Sequence, residues 1–257
     1  MKHDPDLIEI HNRYLIQARW TAAIRTQWLE RLAPRASQRV LEVGSGTGAI
    51  IFEIADGYNC STFGLDIDPH ASHFAQAHDA KTRYTIGDGM ELPFPEATFD
   101  FTICHFLLLW LESPVQALAE MRRVTRPGGW VLALAEPDYG GRIDYPDSLA
   151  EVGALQEQAL QQQGCDTRIG RKLRRLFHEL DLTDICVGVL GGEWRASTIA
   201  EMFESERQTL VHDLEPILPP HEIERLQRID QRAWHDGQRL LFVPTFYAGS
   251  QVPKPEL

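Results

Sequence analysis

Three glycines, Gly44, Gly46 and Gly48, alternate with Ser45 and Thr47 directly after the apolar run Val40 to Val43, and helix-compatible residues begin at Ala49. Glycine tolerates positive φ and lets a ligand approach backbone that a Cβ would block. A strand-to-helix turn also points backbone N–H groups outward. Such a turn suits a nucleoside cofactor. The spacing Gly44, Gly46, Ala49 also satisfies the dinucleotide pattern G-x-G-x-x-G/A, so the turn alone leaves open a nicotinamide ligand or a bare βα turn. Two acids then stand at strand ends. Asp66 closes a strand from about Cys60 (CSTFGLD), where a carboxylate can accept hydrogen bonds from a ribose diol. Asp88 follows a third strand, Arg83 to Ile86, in the sequence Gly87-Asp88-Gly89-Met90, and could take an adenine amino group. Both acids are poorly suited to a strand interior and need a partner if buried.

A second set of polar residues follows the apolar run Trp130 to Glu136, whose composition is that of a fully buried strand. It leads into Pro137-Asp138-Tyr139-Gly140-Gly141-Arg142. Ligands of open parallel sheets sit outside the carboxyl ends of the strands, which makes Asp138, Tyr139 and Arg142 candidates for contact with a second substrate.

In order along residues 38 to 137, these motifs resemble the class I S-adenosylmethionine (SAM)-dependent methyltransferases, of the small-molecule type with a UbiE-like motif series. Val40 to Gly48 is similar to the family's first motif, Gly64-Leu65-Asp66-Ile67 to the second, Gly87-Asp88 to the third and Phe99-Asp100-Phe101 to the fourth. Arg123 to Trp130 (RVTRPGGW) is similar to the turn before the fifth strand.

The resemblance implies that Gly44, Gly46 and Gly48 line the methionine and ribose portions, with Glu42 reaching the amino group directly or through water. Asp66 would hold the ribose hydroxyls, Ile67 pack on an adenine face, and Asp88, Gly89 and Met90 meet its edge. His105 and Phe106 would lie beside the methionine moiety. The stretch CHFLLLWLESP departs from a common variant by carrying Leu109-Trp110 where many relatives have two histidines, so Trp110 reads as a wall and not a base. The implied reaction is transfer of the sulfonium methyl to an O, N or C atom of a small organic molecule, leaving S-adenosylhomocysteine (SAH). His105 is the nominal base, with Asp138 and Tyr139 as competitors. The alternatives are a SAM-binding regulator or scaffold without catalysis, and an NAD-dependent oxidoreductase.

The elements that would position these residues follow from pattern together with the resemblance. The expected fold is α/β, a Rossmann-like seven-stranded and mostly parallel sheet with helices on both faces. Residues 1–36 form an N-terminal helical cover, 37–192 the SAM-binding core, 193–237 a helical insertion, 238–250 the final strand and 251–257 a tail. From Asp6 to Leu32 apolar residues recur at mostly helical intervals. Tyr14, Arg19 and Trp20 on this cover are possible lid contacts. Ser113-Pro114-Val115-Gln116 reads as a capping box with proline at the first helical position. Helices are expected over Leu149 to Gln163 and Arg171 to Leu180, and a sixth strand over Asp184 to Leu190 closed by Gly191-Gly192. The last strand, Leu240 to Tyr247, would by resemblance insert antiparallel between the fifth and sixth. Pro244 fits it poorly, since proline cannot donate to a ladder. Trp194, Phe203, His212, Trp234 and His235 either line an apolar pocket or form the core of the insertion.

Bulk properties set the class of partner. The chain has 257 residues, is 43% hydrophobic and carries a formal net charge of −12. That charge disfavours a nucleic-acid backbone, which draws on clustered Lys and Arg. The one basic run, Arg168 to Arg175, reads as a solvated helix face. Cys60, Cys104, Cys165 and Cys186 show neither a C-x-x-C pair nor zinc-site spacing, the usage of a reducing compartment. Met1 to Ile10 lacks a signal pattern and no stretch approaches membrane-spanning length. The expectation is a cytoplasmic monomer or homodimer with a small-molecule methyl acceptor, no metal, no nucleic acid and no membrane.

Overall fold

A computed structural model of the chain describes residues 5–191, 207–208 and 210–254. The residues Gly192, Trp194 and Phe203, and most of the first half of the expected insertion, lie outside the described residues.

Seven strands form one sheet in the order β3-β2-β1-β4-β5-β9-β7. These are β1 (Arg39–Val43), β2 (Ser61–Asp66), β3 (Arg83–Ile86), β4 (Phe99–Cys104), β5 (Thr125–Pro137), β7 (Thr183–Leu190) and β9 (Thr245–Gln251). Pairing is parallel from β3 through β5, and β9 runs antiparallel to both β5 and β7. Strand alternation divides the core between two faces. Leu41, Val131 and Ala133 face one cluster with α5 (Pro114–Val124) and α7 (Leu173–His178). Val40, Leu132 and Leu134 face another with α2 (Ala22–Leu32) and α3 (Ala49–Gly57). Helix α4 (Pro69–His78) follows β2, its first turn capped by Asp68 accepting from the His70 N–H at 2.8 Å.

Several expectations are corrected in detail. The N-terminal cover is built of two helices: α1 (Pro5–Trp20) ends where α2 begins at Ala22. Thr21 stands at this break, its hydroxyl 3.1 Å from the Ala18 carbonyl. Ser113 provides no side-chain cap to α5. Gln116 instead sends its amide to the Met90 carbonyl at 3.0 Å, so the intended partner of the capping box braces the loop after β3. The last strand divides at Pro244. Leu240–Phe242, here β8, leaves the main sheet and pairs antiparallel with β6 (Ile143–Tyr145), while the main sheet receives β9. A prolyl residue without an N–H ends one ladder before the next begins.

A third apolar cluster joins α6 (Ala150–Gln162), the helical residues 210–214 and α8 (Pro220–His235), through Val152, Leu214 and Leu226 among others. With β6 and β8 it forms a small helical annex at the carboxyl end of β5.

Candidate active site

The carboxyl ends of β1, β2, β4 and β5 open into one cavity of about 1130 Å³. On the β1–β2 side the glycine loop takes left-handed φ values of 73° at Gly44, 50° at Gly46 and 84° at Gly48, conformations glycine adopts without strain. The N–H groups of Gly44 and Ser45 both donate to the Leu65 carbonyl, at 2.8 and 3.0 Å, which ties the loop to β2. Asp66 fixes it further. Its Oδ2 accepts from the Gly46 N–H at 2.6 Å and its Oδ1 from the Asp68 N–H at 2.9 Å. A carboxylate has about four acceptor positions, so two bonds leave capacity for a diol.

Glu42, 2% exposed, accepts from the Ile51 N–H at 2.9 Å. Burial pushes its carboxyl well above the ordinary range, against that bond and the attraction of Arg25. The Ser45 hydroxyl is buried at the cavity wall with no hydrogen-bond partner among the described residues. Ile67 lines the same wall and is 70% exposed, an apolar side chain left in water at a strand end. Asp88 accepts from the Met90 N–H at 2.8 Å, and Asp88, Gly89 and Met90 all reach the cavity. Gly48 is the exception among the three glycines, since it does not line the cavity. Its N–H closes the turn on the Ser45 carbonyl at 2.8 Å, and a Cβ there would stand 2.5 Å from the Tyr84 hydroxyl. It shapes the turn and starts α3.

His105 and Phe106 both face the cavity where β4 ends. His105 Nε2 lies 2.8 Å from Thr21 Oγ1, at the break between α1 and α2. Thr21 Oγ1 in turn accepts from Arg25 Nη1 at 3.0 Å. Arg25 is 1% exposed, bonds the Ala18 carbonyl at 3.0 Å, and pairs with Glu53 of α3. Burial first, and the Arg25 charge second, lower the His105 imidazole to about 3. A group with so little affinity for protons is a poor general base near neutrality. His105 is thus hydrogen-bonded to the N-terminal cover through Thr21, in surroundings that disfavour the role of base expected of it.

The next turn is pinned from β5. Phe106 sits at φ 50° with its N–H on the Ala135 carbonyl at 2.8 Å. The buried Glu136 carboxylate then accepts from three consecutive amides, Leu107 at 3.1, Leu108 at 3.0 and Leu109 at 3.3 Å. Burial raises the Glu136 carboxyl to about 8 in opposition to these bonds.

The remaining wall is largely apolar. Trp110, 52% exposed, lines it with Tyr139, Leu160, Leu241 and Phe242. Tyr14 reaches over the loop, its ring 3.3 Å from where a Cβ on Gly46 would be. Arg19 and Trp20 also line the cavity. Arg142 faces it while bonded to Asp144 at 2.6 and 3.1 Å and to Gln156. Asp138 is corrected: it is buried, does not line the cavity, and receives the Arg171 guanidinium through two bonds. Arg168, Lys172 and Arg175 of the same basic run pair with Glu157, Asp166 and Glu179. Of the insertion residues, His212 lines the cavity, Trp234 is buried core, and His235 is on the surface beside Asp236.

Sequence reasoning passed over Thr21, Arg25, Glu136, Gln156 and Asp213. Glu136 carried a signal, an acid ending an otherwise apolar buried strand. The others join segments far apart in the chain, and no spacing marks them.

Residues 41–133 match the family model described as Methyltransferase domain. The chain is 30% identical over 154 residues to an uncharacterized methyltransferase of Schizosaccharomyces pombe, C1B3.06c, covering 54% of this chain and 55% of that protein. It is 35% identical over 113 residues to the ubiquinone/menaquinone biosynthesis C-methyltransferase UbiE of Dinoroseobacter shibae, covering 41% and 45%. The chain thus spans about half the length of these curated relatives. In fold it is similar to Haemonchus contortus phosphoethanolamine N-methyltransferase 2 in complex with phosphomonomethylethanolamine and SAH, with a TM-score of 0.60 at 18% identity, over 91% of this chain and 52% of that one. The motif order, the sheet with β9 reversed between β5 and β7, and the domain match agree: residues 41–133 match a methyltransferase domain, and the fold around them is that of the solved methyltransferase it resembles.

Proposed function

We propose that this chain transfers a methyl group from SAM to an oxygen, nitrogen or carbon atom of a small organic molecule. The observation that carries the reading is a single cavity with two unlike halves. The glycine loop, Glu42, Asp66, Ile67 and Asp88 form one, and Trp110, Tyr139, Leu160, Leu241 and Phe242 form the other. Its volume of about 1130 Å³ exceeds the roughly 300–1,000 Å³ of ordinary single-ligand pockets, which suits two molecules side by side.

The residues fit the cofactor. Asp66 keeps acceptor capacity for ribose hydroxyls, the Ser45 hydroxyl awaits a partner, and exposed Ile67 offers an apolar face to a purine. Bound SAM supplies an electrophilic methyl on a good leaving group. The chain then contributes orientation and a dry enclosure. Tyr14, Arg19 and Trp20 of α1 shield the cavity from one side, and the turn held by Glu136 fixes Leu107 to Trp110 on the other. With Asp138 paired to Arg171, His105 and Tyr139 are the two of the three expected bases that face the cavity, and the lowered basicity of His105 favours Tyr139. An acceptor that attacks without first losing a proton, such as a neutral amine or an already ionised oxygen, needs no base for the transfer step.

We place the chain with enzymes of small molecules in a reducing, cytoplasmic setting, as monomer or homodimer, on its net charge of −12 and four free cysteines. No helix among the described residues is long and apolar enough to cross a membrane. The test is acceptor-dependent formation of SAH from SAM across a panel of phenols, amines and activated carbon acids. Turnover with any one class supports the reading, and SAH binding without turnover on any class contradicts it in favour of a non-catalytic binder.

A further inference from the structure

Behind the acceptor wall runs a chain of buried polar groups that the transfer reaction itself does not require. Asp230 accepts from Arg239 Nε at 2.7 Å, and Arg239 Nη2 donates to Asp144 at 2.7 Å. Asp144 also receives Arg142, Arg142 donates to Gln156, and Gln156 Nε2 donates to Asp213 Oδ2 at 2.6 Å. The side chains of Arg142, Asp144, Arg239 and Asp230 are 2–8% exposed, and Asp213 is 7% exposed. The series joins β6, α6, the helical residues 210–214, α8 and the segment before β8.

Its charges do not balance. Asp144, Asp213 and Asp230 stand against Arg142 and Arg239, and both arginines are bonded to Asp144 or Asp230. The excess negative charge falls on Asp213, the one carboxylate of the three that lines the cavity. Its only hydrogen-bond donor in the series is the neutral amide of Gln156. Arg13 and His212 line the same cavity, but among the described residues neither forms an ion pair with Asp213; the Arg13 guanidinium lies over the Tyr14 ring, 5.9 Å from its centroid. Burial pushes the Asp213 carboxyl up, as expected of an anion short of partners. A buried charge costs several kcal/mol or more unless it is paired; His212, Arg13 and Arg142 attract Asp213 from a distance without outweighing its burial.

Resting on the methyltransferase reading, we propose that Asp213 is the acceptor-anchoring residue and that the acceptor is a largely apolar molecule bearing a cationic amine, which pairs with this carboxylate. The network behind Gln156 fixes the carboxylate in place, so the cation meets a preorganised partner. The apolar walls take the rest of the molecule.

The test measures binding, not turnover, by calorimetry on the SAH-saturated full chain. The probes are 2-phenylethylamine, tryptamine and octylamine, each against its matched alcohol, 2-phenylethanol, tryptophol and octanol. The expected result is that the amines bind at least tenfold more tightly than the alcohols and that Asp213→Asn removes this preference. SAH affinity should stay within twofold of the wild type, which shows that the variant is folded. Gln156→Leu, which leaves Asp213 charged but unheld, should weaken amine binding by a smaller factor. Equal affinity for amines and alcohols, no amine binding at all, or an unchanged preference in Asp213→Asn would overturn the proposal. Failure of the wild type to bind SAH would instead overturn the methyltransferase reading beneath it.

Discussion

Asp66 does two things at once, because the oxygen that holds the Gly46 amide belongs to the carboxylate expected to hold a ribose. Its loss therefore loosens the loop as well as removing ligand bonds. With hydrogen bonds to a charged group contributing about 1.5–3 kcal/mol each, Asp66→Ala should weaken SAH binding by roughly 100-fold or more, and Asp66→Asn by less, as read by titration calorimetry. His105 makes a prediction of opposite kind. The fold holds it at about 3 against an ordinary 6.5, so between those values the unfolded chain binds the extra proton. Its contribution makes stability rise with pH across that window and lie flat above it. In urea unfolding, wild type should lose more stability between pH 7.5 and 5 than His105→Gln does, and the pH–rate profile should show no step from this imidazole near 6.5. At this scale the sequence was legible where a residue's role is local. The glycines and the acids at strand ends declare themselves by neighbours in the chain. The surroundings of Asp138 and His105 were not legible, because they depend on Arg171 and on Arg25 with Thr21, which arrive from distant segments.

Glu136 shows how one strand end organises a neighbouring element. Three successive amides of the turn after β4 converge on its carboxylate, and that turn carries Leu107 and Trp110 into the cavity. Glu136→Ala would strand three donors, two of them buried, and at about 1–3 kcal/mol for an unsatisfied buried group the expected loss is roughly 2–6 kcal/mol in denaturant unfolding, with SAH affinity falling alongside. Glu136→Gln, which keeps one acceptor oxygen, should cost less. Strand positions were readable from apolar runs and their bounding acids, and β3 from Arg83 to Ile86 matches its expected span. Element ends were less so. Local pattern runs smoothly through Trp20 and Thr21, yet the cover breaks there so that Thr21 can reach both Ala18 and His105. Pro244 did signal a fault in the last strand. That its first half would pair with β6 in a separate ladder depends on the annex, which no local pattern describes.

Across the whole molecule, the sheet order brings residues from both ends of the chain to one opening, with α1 and β8 facing the same cavity. The order of motifs made this topology legible, including the reversed strand between β5 and β7. The walls of the acceptor half were not, because they are assembled from α6, residues 210–214 and β8, whose sequences carry no shared mark. Net charge acts at this scale too. A chain at −12 should draw in the cationic sulfonium of SAM more than neutral SAH, so the SAM association rate should fall more steeply with added salt than that of SAH; stopped-flow binding at low and physiological ionic strength checks this. The most direct test of the account is calorimetric titration of the intact chain with SAM and SAH, with NADH as the parallel ligand. The account predicts one-to-one binding of both adenosyl compounds at micromolar concentrations, lost in Asp66→Ala, and no heat from NADH. Absence of adenosyl binding to a folded chain, or binding of NADH in its place, would contradict it.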